Sequence, residues 1–413
     1  MEFFNVLTVK EVNLIIDRLS ETYIIGTEEV DLINAVDRIT VTDYYARVNL
    51  PEFNRSTVDG YAVICQDVMG ASDAMPSFLL CVSEVNMGES TDLCLQKGQA
   101  VYVPTGGMVP RGADGMVMIE YVQKLDEQTI LIQKPIAPGE NITLIGDDLQ
   151  EGDMIAPKGK KLSAYDIGLF AATGTYKVQV YNKPKFAILS TGDEIIDYNE
   201  TQKLGQIREV NGYALNALIL QLGGEVIKKV IVRDDFRKLQ DELSQAMEQA
   251  DIVLISGGSS VGTRDYTKQV IESFDGGRVL VHGISIKPGK PTIIGQIDAK
   301  LVFGLPGHPA AALMVFHIFV KRYMQKILKR VTNTFHVRAT LDSNVHSSPG
   351  KETYQMVQLI RNDHEWNAIP LYGKSGMMSL LTRASGYIRI SDNQEGLMKG
   401  EQVDVYLLQE VEL

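Results

Sequence analysis

A multidomain chain of the α/β plus β class is what this sequence predicts, and three observations predict it. From position 181 onward, short apolar runs alternate with amphipathic segments, as in KFAILS, NGYALNALILQLGG and VIKKVIVRDD. Such alternation implies a mostly parallel sheet with right-handed crossovers. From about 50 to 140, and again from about 331 to 413, the pattern changes to short strands separated by turn residues. Finally, 413 residues exceed what one ordinary core encloses, so two to four domains are expected.

The elements follow in order. Residues 4–36 read as helical, with Val12, Leu14, Ile15 and Leu19 at helical spacing. SFLLCVSEV, QAVYVPTGG, GMVMIEYV and TILIQK read as strands of a β-rich module over 51–140. Gly139 to Leu162 is a further turn-rich β stretch, with a helix near Ser163 to Thr173. In the α/β region, NGYALNALILQLGG reads as a helix with Asn211 as N-cap and Gly223 near its end. DFRKLQDELSQAMEQA and YTKQVIESF are the next helices, on either side of the strand DIVLISGG. RVLVHGISI, TIIGQI and LVFGL are strands, and AAALMVFHIFVKRYMQKILKR reads as one long helix.

Composition narrows the function. A net charge of −12 argues against a sequence-blind grip on nucleic acid, which needs a basic face. The first residues lack the basic start of a signal peptide. The longest apolar run, Ala310 to Val320, is broken by His317 and is too short to span a bilayer. Cys65, Cys81 and Cys94 have no metal spacing and leave one over after any pairing, so reduced core thiols are expected. A cytoplasmic protein away from membranes and nucleic acid follows.

Ligands of open α/β sheets bind beyond the strand C-termini, and four unusual loops are predicted to leave strands there. FAILS runs into Thr191, Gly192, Asp193 and Glu194. DIVLIS runs into a glycine and hydroxyl cradle, Gly257, Gly258, Ser259, Ser260 and Gly262, followed by Arg264 and Asp265. ISI is followed by Lys287-Pro-Gly-Lys290-Pro, and LVFGL by Pro306, Gly307, His308 and Pro309. Each loop alone has an ordinary reading: Asp265 as an N-cap, KPGKP as a turn with solvated lysines, PGHP as a connector. Together they point to one phosphate-bearing small molecule. Loop N–H groups and lysines would hold its oxygens, and Glu194 and Asp265 would hold a hard cation such as Mg2+. That cation would offset the acidic balance. Walker A, GxGxxG and HExxH patterns are absent. In the β module, FNRSTVDGYAV places Asp59 on a turn, and VPTGG places an exposed Thr105 on another.

PEFNRSTVDGYAV, VPTGGMVPRGADGMV, GENITLIGDDLQEGD, LSTGDEI, GQIREVNGYAL, ISGGSSVGTRDY, KPGKP and GLPGHPAAAL occur in that order. In this the chain resembles the molybdopterin molybdenumtransferases, the molybdenum insertases to which the C-terminal part of gephyrin is related. The resemblance runs nearly the length of the chain. It implies an elongated N-terminal linking segment over 1–50 and 141–180, and an inserted β-rich module over 51–140. A doubly wound molybdopterin-binding α/β domain over 181–330 and a small β-barrel over 331–413 complete the fold it implies.

The reaction it implies takes adenylylated molybdopterin and molybdate, with Mg2+, to molybdenum cofactor and AMP. It also implies a homodimer whose site lies between the insertion of one subunit and the α/β domain of the other. Molybdopterin adenylyltransferase and recipient molybdoenzymes are the further partners it implies. By motif position the site residues would be Asp59, Thr105, Asp148, Glu194, Asp234, Asp265, Lys287, Lys290, Pro306, Pro309 and Ser375, with Asp235 an alternative to Asp234. Three departures stand out: His308 where relatives usually have Asn, Ser385 where Asn is common, and Met356 and Gln358 where relatives often carry arginine. The last leaves the C-terminal domain less basic and its part in ligand binding open. Two rival readings are a pterin carrier or scaffold without turnover, and insertion of tungsten in place of molybdenum.

Overall fold

The computed structural model describes residues 6–257, 266–330, 335–362 and 365–408. Its first helix is shorter than the periodicity predicts, Val9–Thr22, opened by a capping box in which Thr8 and Glu11 satisfy each other's backbone N–H groups. The chain then turns at Gly26, and Thr27–Asp31 pairs antiparallel with Lys177–Tyr181. Pairing with a distant strand thus overrides helical spacing between 27 and 36. Tyr44–Tyr45 likewise pairs with Met154–Ala156, and Leu50 bridges Leu149. These long-range pairings bring 27–50 and 142–181 together around Phe170 and Leu162, and the intervening chain leaves and returns as a separate unit. That unit is a six-stranded sheet in the order 115–118, 60–63, 99–103, 77–84, 129–132, 122–124, with an apolar cluster on each face.

The α/β domain is built from β1 (Lys185–Thr191), α1 (Asn211–Gln221), β2 (Glu225–Val232), α2 (Phe236–Gln249), β3 (Ile252–Ser256), α3 (Tyr266–Glu272), β4 (Arg278–His282), β5 (Ile293–Ile297), β6 (Lys300–Leu305) and α4 (Pro309–Val315). The sheet order is β2-β1-β3-β6-β5-β4. The pairs β2–β1, β1–β3 and β3–β6 are parallel and β5 is antiparallel to both its neighbours, so five of the six strands share one direction. Alternate side chains supply two cores. Phe186, Ile188 and Leu254 face the layer of Leu215 and Ile219, while Ala187, Leu189 and Ile255 face the layer of Leu239 and Leu243. The sheet is therefore doubly wound.

Two local expectations are corrected here. Asn211 is the first residue of α1 and not its cap; Val210 holds the cap position, and the Asn211 side chain is engaged elsewhere. The long C-terminal helix is interrupted: Pro309–Val315 is α-helical, Phe316–Val320 is a π segment, and Lys321–Ile327 resumes the α-helix. Asp17 of the first helix anchors this last piece through paired bonds from Arg322, at 3.0 and 2.7 Å.

The C-terminal region is a closed five-stranded barrel. Glu352–Asn362 pairs with both Glu365–Pro370 and Gly386–Ile390, and the ring is completed through His336–Leu341 and Gln402–Leu407. Alternating residues such as Ala339, Val357, Ile388 and Val405 fill its interior.

Candidate active site

Strands β2 and β3 lie on opposite sides of β1, so a crevice opens beyond the ends of β1 and β3. Gly257 forms its floor. With φ of +105°, its α-carbon approaches so closely that an added Cβ would sit 2.3 Å from the Thr191 carbonyl oxygen. Above this floor lies a cavity of ≈ 700 Å3, lined by the loop after β1, the approach to α1, Asp234, and Gly307 to Pro309. Glu194, Asp234, Gly257 and Pro309, all expected in the site, are among its lining residues. Asp235 proves to be the helix cap, accepting from the Lys238 N–H, which leaves Asp234 as the carboxylate facing the cleft.

A buried polar cluster behind these residues was not legible beforehand. The Glu209 Oε1 accepts from Ser190 Oγ at 3.1 Å and from the Gly212 N–H at 2.6 Å. The Asn211 amide donates to Ser256 Oγ at 2.7 Å and to the Gly307 carbonyl at 2.8 Å, tying α1, β3 and the loop after β6 together. Yet Thr191 Oγ1, Glu209 Oε2 and Asn211 Oδ1 have no partner among the described residues, although these three residues are only 5, 6 and 7% exposed. An unanswered buried polar group costs roughly 1–3 kcal/mol, and three along one cleft mark a place where a ligand supplies the partners. The motif GQIREVNGYAL holds Glu209 and Asn211, but spacing alone gives only a helix start.

The KPGKP loop connects β4 to β5 at the same sheet edge, though Ile286–Lys287 leaves the α/β sheet and pairs with Glu352–Thr353 of the barrel region. The second cavity, ≈ 510 Å3, opens there. It is lined by Lys287, Lys290, Pro306 and Ser375, as expected, and also by Lys351, Lys374, His346 and His308, with no carboxylate among its lining residues. The Ser375 carbonyl accepts from the Ala310 N–H at 3.0 Å, which seats the C-terminal region on the start of α4. The barrel region therefore contributes cationic groups to this cavity, with Met356 as an apolar wall. His308 lines both cavities. The single pocket of mixed charge expected from the loops is thus resolved into two: an acidic cleft and a cationic one, meeting at His308.

The remaining expected residues lie apart. Asp59 accepts from the Thr105 N–H at 2.8 Å, so these two are held together on the β module, and the Asp148 N–H donates to the Leu50 carbonyl at 3.0 Å. All three are exposed, and no residue before Ser190 lines either cavity. Gly258, Ser259, Ser260, Gly262 and Asp265 lie outside the described residues. Among the described residues no group of three or more His, Cys, Asp or Glu could hold a metal ion, and no helix is long and apolar enough to cross a membrane.

Three family models match in succession: the MoeA N-terminal region (domain I and II) over 7–174, a probable molybdopterin binding domain over 187–326, and the MoeA C-terminal region (domain IV) over 338–408. The chain is 36% identical over 389 residues to a putative molybdopterin biosynthesis protein of Methanocaldococcus jannaschii, covering 92% of each. It is 30% identical over 384 residues to the molybdopterin molybdenumtransferase of Haemophilus influenzae, covering 92% of this chain and 93% of that one. Among solved structures, it is similar to the molybdopterin biosynthesis MoeA protein of Pyrococcus horikoshii, with 36% identity and a TM-score of 0.84 over 98% of this chain and all of that one. Matched from end to end in sequence and in fold, the chain belongs to the MoeA family of molybdopterin biosynthesis proteins.

Proposed function

We infer that this chain is a molybdopterin molybdenumtransferase of molybdenum cofactor biosynthesis, transferring molybdenum from molybdate to adenylylated molybdopterin with release of AMP. The observation that carries the reading is the pair of adjoining cavities of opposite character at the ligand-binding edge of a molybdopterin-type α/β domain. A hard oxyanion suits the carboxylate-free cavity, where Lys287, Lys290, Lys351 and Lys374 supply charge in an otherwise acidic chain. The adenylylated pterin suits the larger cleft, whose end meets the cationic cavity at His308.

Glu194 and Asp234 line that cleft together, a donor set that fits Mg2+, which binds through one or two carboxylates plus substrate phosphates. When bound there, the cation would neutralise charge on the phosphoanhydride as it breaks. The chain's own groups do the rest: they position the ligand and hold the PGHP loop through Asn211, and carboxylates at the rim relay the protons that oxo exchange requires.

Asp59 and Thr105 are held as a unit on the exposed end of the β module, away from both cavities of their own chain. This supports a homodimer in which the module of one subunit completes the cleft of the other. We place the protein in the cytoplasm. AMP release from adenylylated molybdopterin, measured with molybdate and with tungstate in turn and with or without Mg2+, tests the function. Release that requires both molybdate and Mg2+ is expected; pterin binding without any release would make the chain a carrier and refute the reading.

A further inference from the structure

Glu209 and Asn211 present two buried acceptors that no described residue answers. The Glu209 carboxylate is held at Oε1 alone, by Ser190 Oγ and the Gly212 N–H, while Oε2 is buried and unpartnered. Gly212 leaves it room: a Cβ there would lie 2.7 Å from Oε2. Asn211 uses its amide hydrogens on Ser256 and Gly307, so only its Oδ1 is left. Arg208 also lines the cleft but is turned away, donating to the Tyr198 carbonyl and to Gln202 Oε1, both at 3.1 Å.

Two acceptors, one of them anionic, repel a phosphate and call for hydrogen-bond donors. We propose that Glu209, seconded by Asn211, is a recognition site for a donor–donor edge of the adenylylated pterin. This rests on the function proposed above and adds to it which part of the substrate is read. Two groups of that substrate carry adjacent donors: the aminopyrimidinone edge of the pterin, through N3–H and the 2-amino group, and the ribose diol of the adenylate. The Watson–Crick edge of adenine sets a donor beside an acceptor and does not match. The Thr191 hydroxyl, also unpartnered in the cleft, can donate or accept beside them.

The test is calorimetric titration of the full-length protein with AMP, 2′-deoxy-AMP and 6-hydroxymethylpterin. In Glu209→Gln the amide carbonyl must take over the two bonds now made to Oε1, so an NH2 donor replaces the free acceptor at unchanged shape. The variant is expected to weaken one ligand by about tenfold or more, as for loss of a buried charged hydrogen bond. Weakened AMP with unaffected 2′-deoxy-AMP assigns the ribose; weakened hydroxymethylpterin assigns the pterin edge. Gly212→Ala, which displaces Oε2 without altering charge, should weaken the same ligand. Affinities unchanged in both variants, or lowered equally for all three ligands, would overturn the proposal. Failure of the unaltered protein to bind any of them would instead strike the functional reading beneath it.

Discussion

Replacing Asn211 by aspartate tests whether the cleft is built on hydrogen-bond donors at that position and not on side-chain size. The amide now donates to Ser256 Oγ at 2.7 Å and to the Gly307 carbonyl at 2.8 Å. Aspartate has the same outline and no hydrogen. Ser256 can turn its hydroxyl toward the new carboxylate, so that contact survives with its polarity reversed. The Gly307 carbonyl cannot adapt, and two acceptors then face each other where the residue is only 7% exposed. A buried acceptor stripped of its donor costs roughly 1–3 kcal/mol, and burying the carboxylate adds a similar amount, so about 3 kcal/mol is expected near neutral pH. For a domain of this size that corresponds to a melting temperature lower by about 6–12 °C. The sign with pH is distinctive. Burial raises the folded-state pKa of such an aspartate, so the variant regains stability as pH falls and the protonated acid can donate to Gly307. Thermal melts of both proteins at about pH 7.5 and about pH 5 read this directly. An aspartate variant as stable as the wild type near neutrality, or a deficit that does not shrink in acid, would refute the reasoning.

Three further outcomes are expected. Mixed dimers of Asp59→Ala and Asp234→Ala chains should recover about a quarter of wild-type activity, because half the dimers are mixed and each has one intact site in trans; no recovery would place both residues in one subunit's site. Lys287→Ala with Lys290→Ala should raise the KM for molybdate by about tenfold or more and weaken its dependence on ionic strength; an unchanged KM would remove the cationic cavity from oxyanion binding. Burial and the neighbouring Lys321 ammonium push the His317 imidazole down to about 4, from its ordinary 6.5. The unfolded chain therefore takes up this proton first, so stability is full above about pH 6.5 and is lost as pH falls toward 4. The melting temperature of His317→Gln should fall less over that interval, and an unchanged slope would exclude His317 as its source.

What the sequence makes legible follows the range of the interaction concerned. The strands of the α/β domain are apolar runs and stand where the pattern puts them, except that RVLVHGISI ends as a strand of this sheet at His282, and Ile286–Lys287 pairs with the barrel region. Thr27–Asp31 does not, because its partner Lys177–Tyr181 is far away in the chain and pairing outweighs local spacing. The same holds in the site. Glycine-rich loops announce Gly257, Lys287 and Pro309, whereas Lys351, Lys374 and His346 join the cationic cavity from strands and turns of another domain and carry no local mark. Glu209 was hidden for a different reason. It precedes a helix, where a carboxylate is commonplace, and what sets it apart is a second oxygen without a partner among the described residues.

The C-terminal barrel is a working part of this arrangement. Ile286–Lys287 takes its register from Glu352–Thr353, and the Ser375 carbonyl accepts from the first turn of α4. The barrel region thereby fixes the direction of the Lys287 loop, helps seat the PGHP loop, and adds Lys351 and Lys374 to the same wall. With Met356 as an apolar wall and no arginine in its lining, the cavity draws its charge from these lysines and holds no carboxylate. In a chain of net charge −12, that exclusion needs the two domains to be held in register. Under the function proposed above, their docking, as much as any single lysine, sets whether an oxyanion is drawn to His308 and the cleft beyond it.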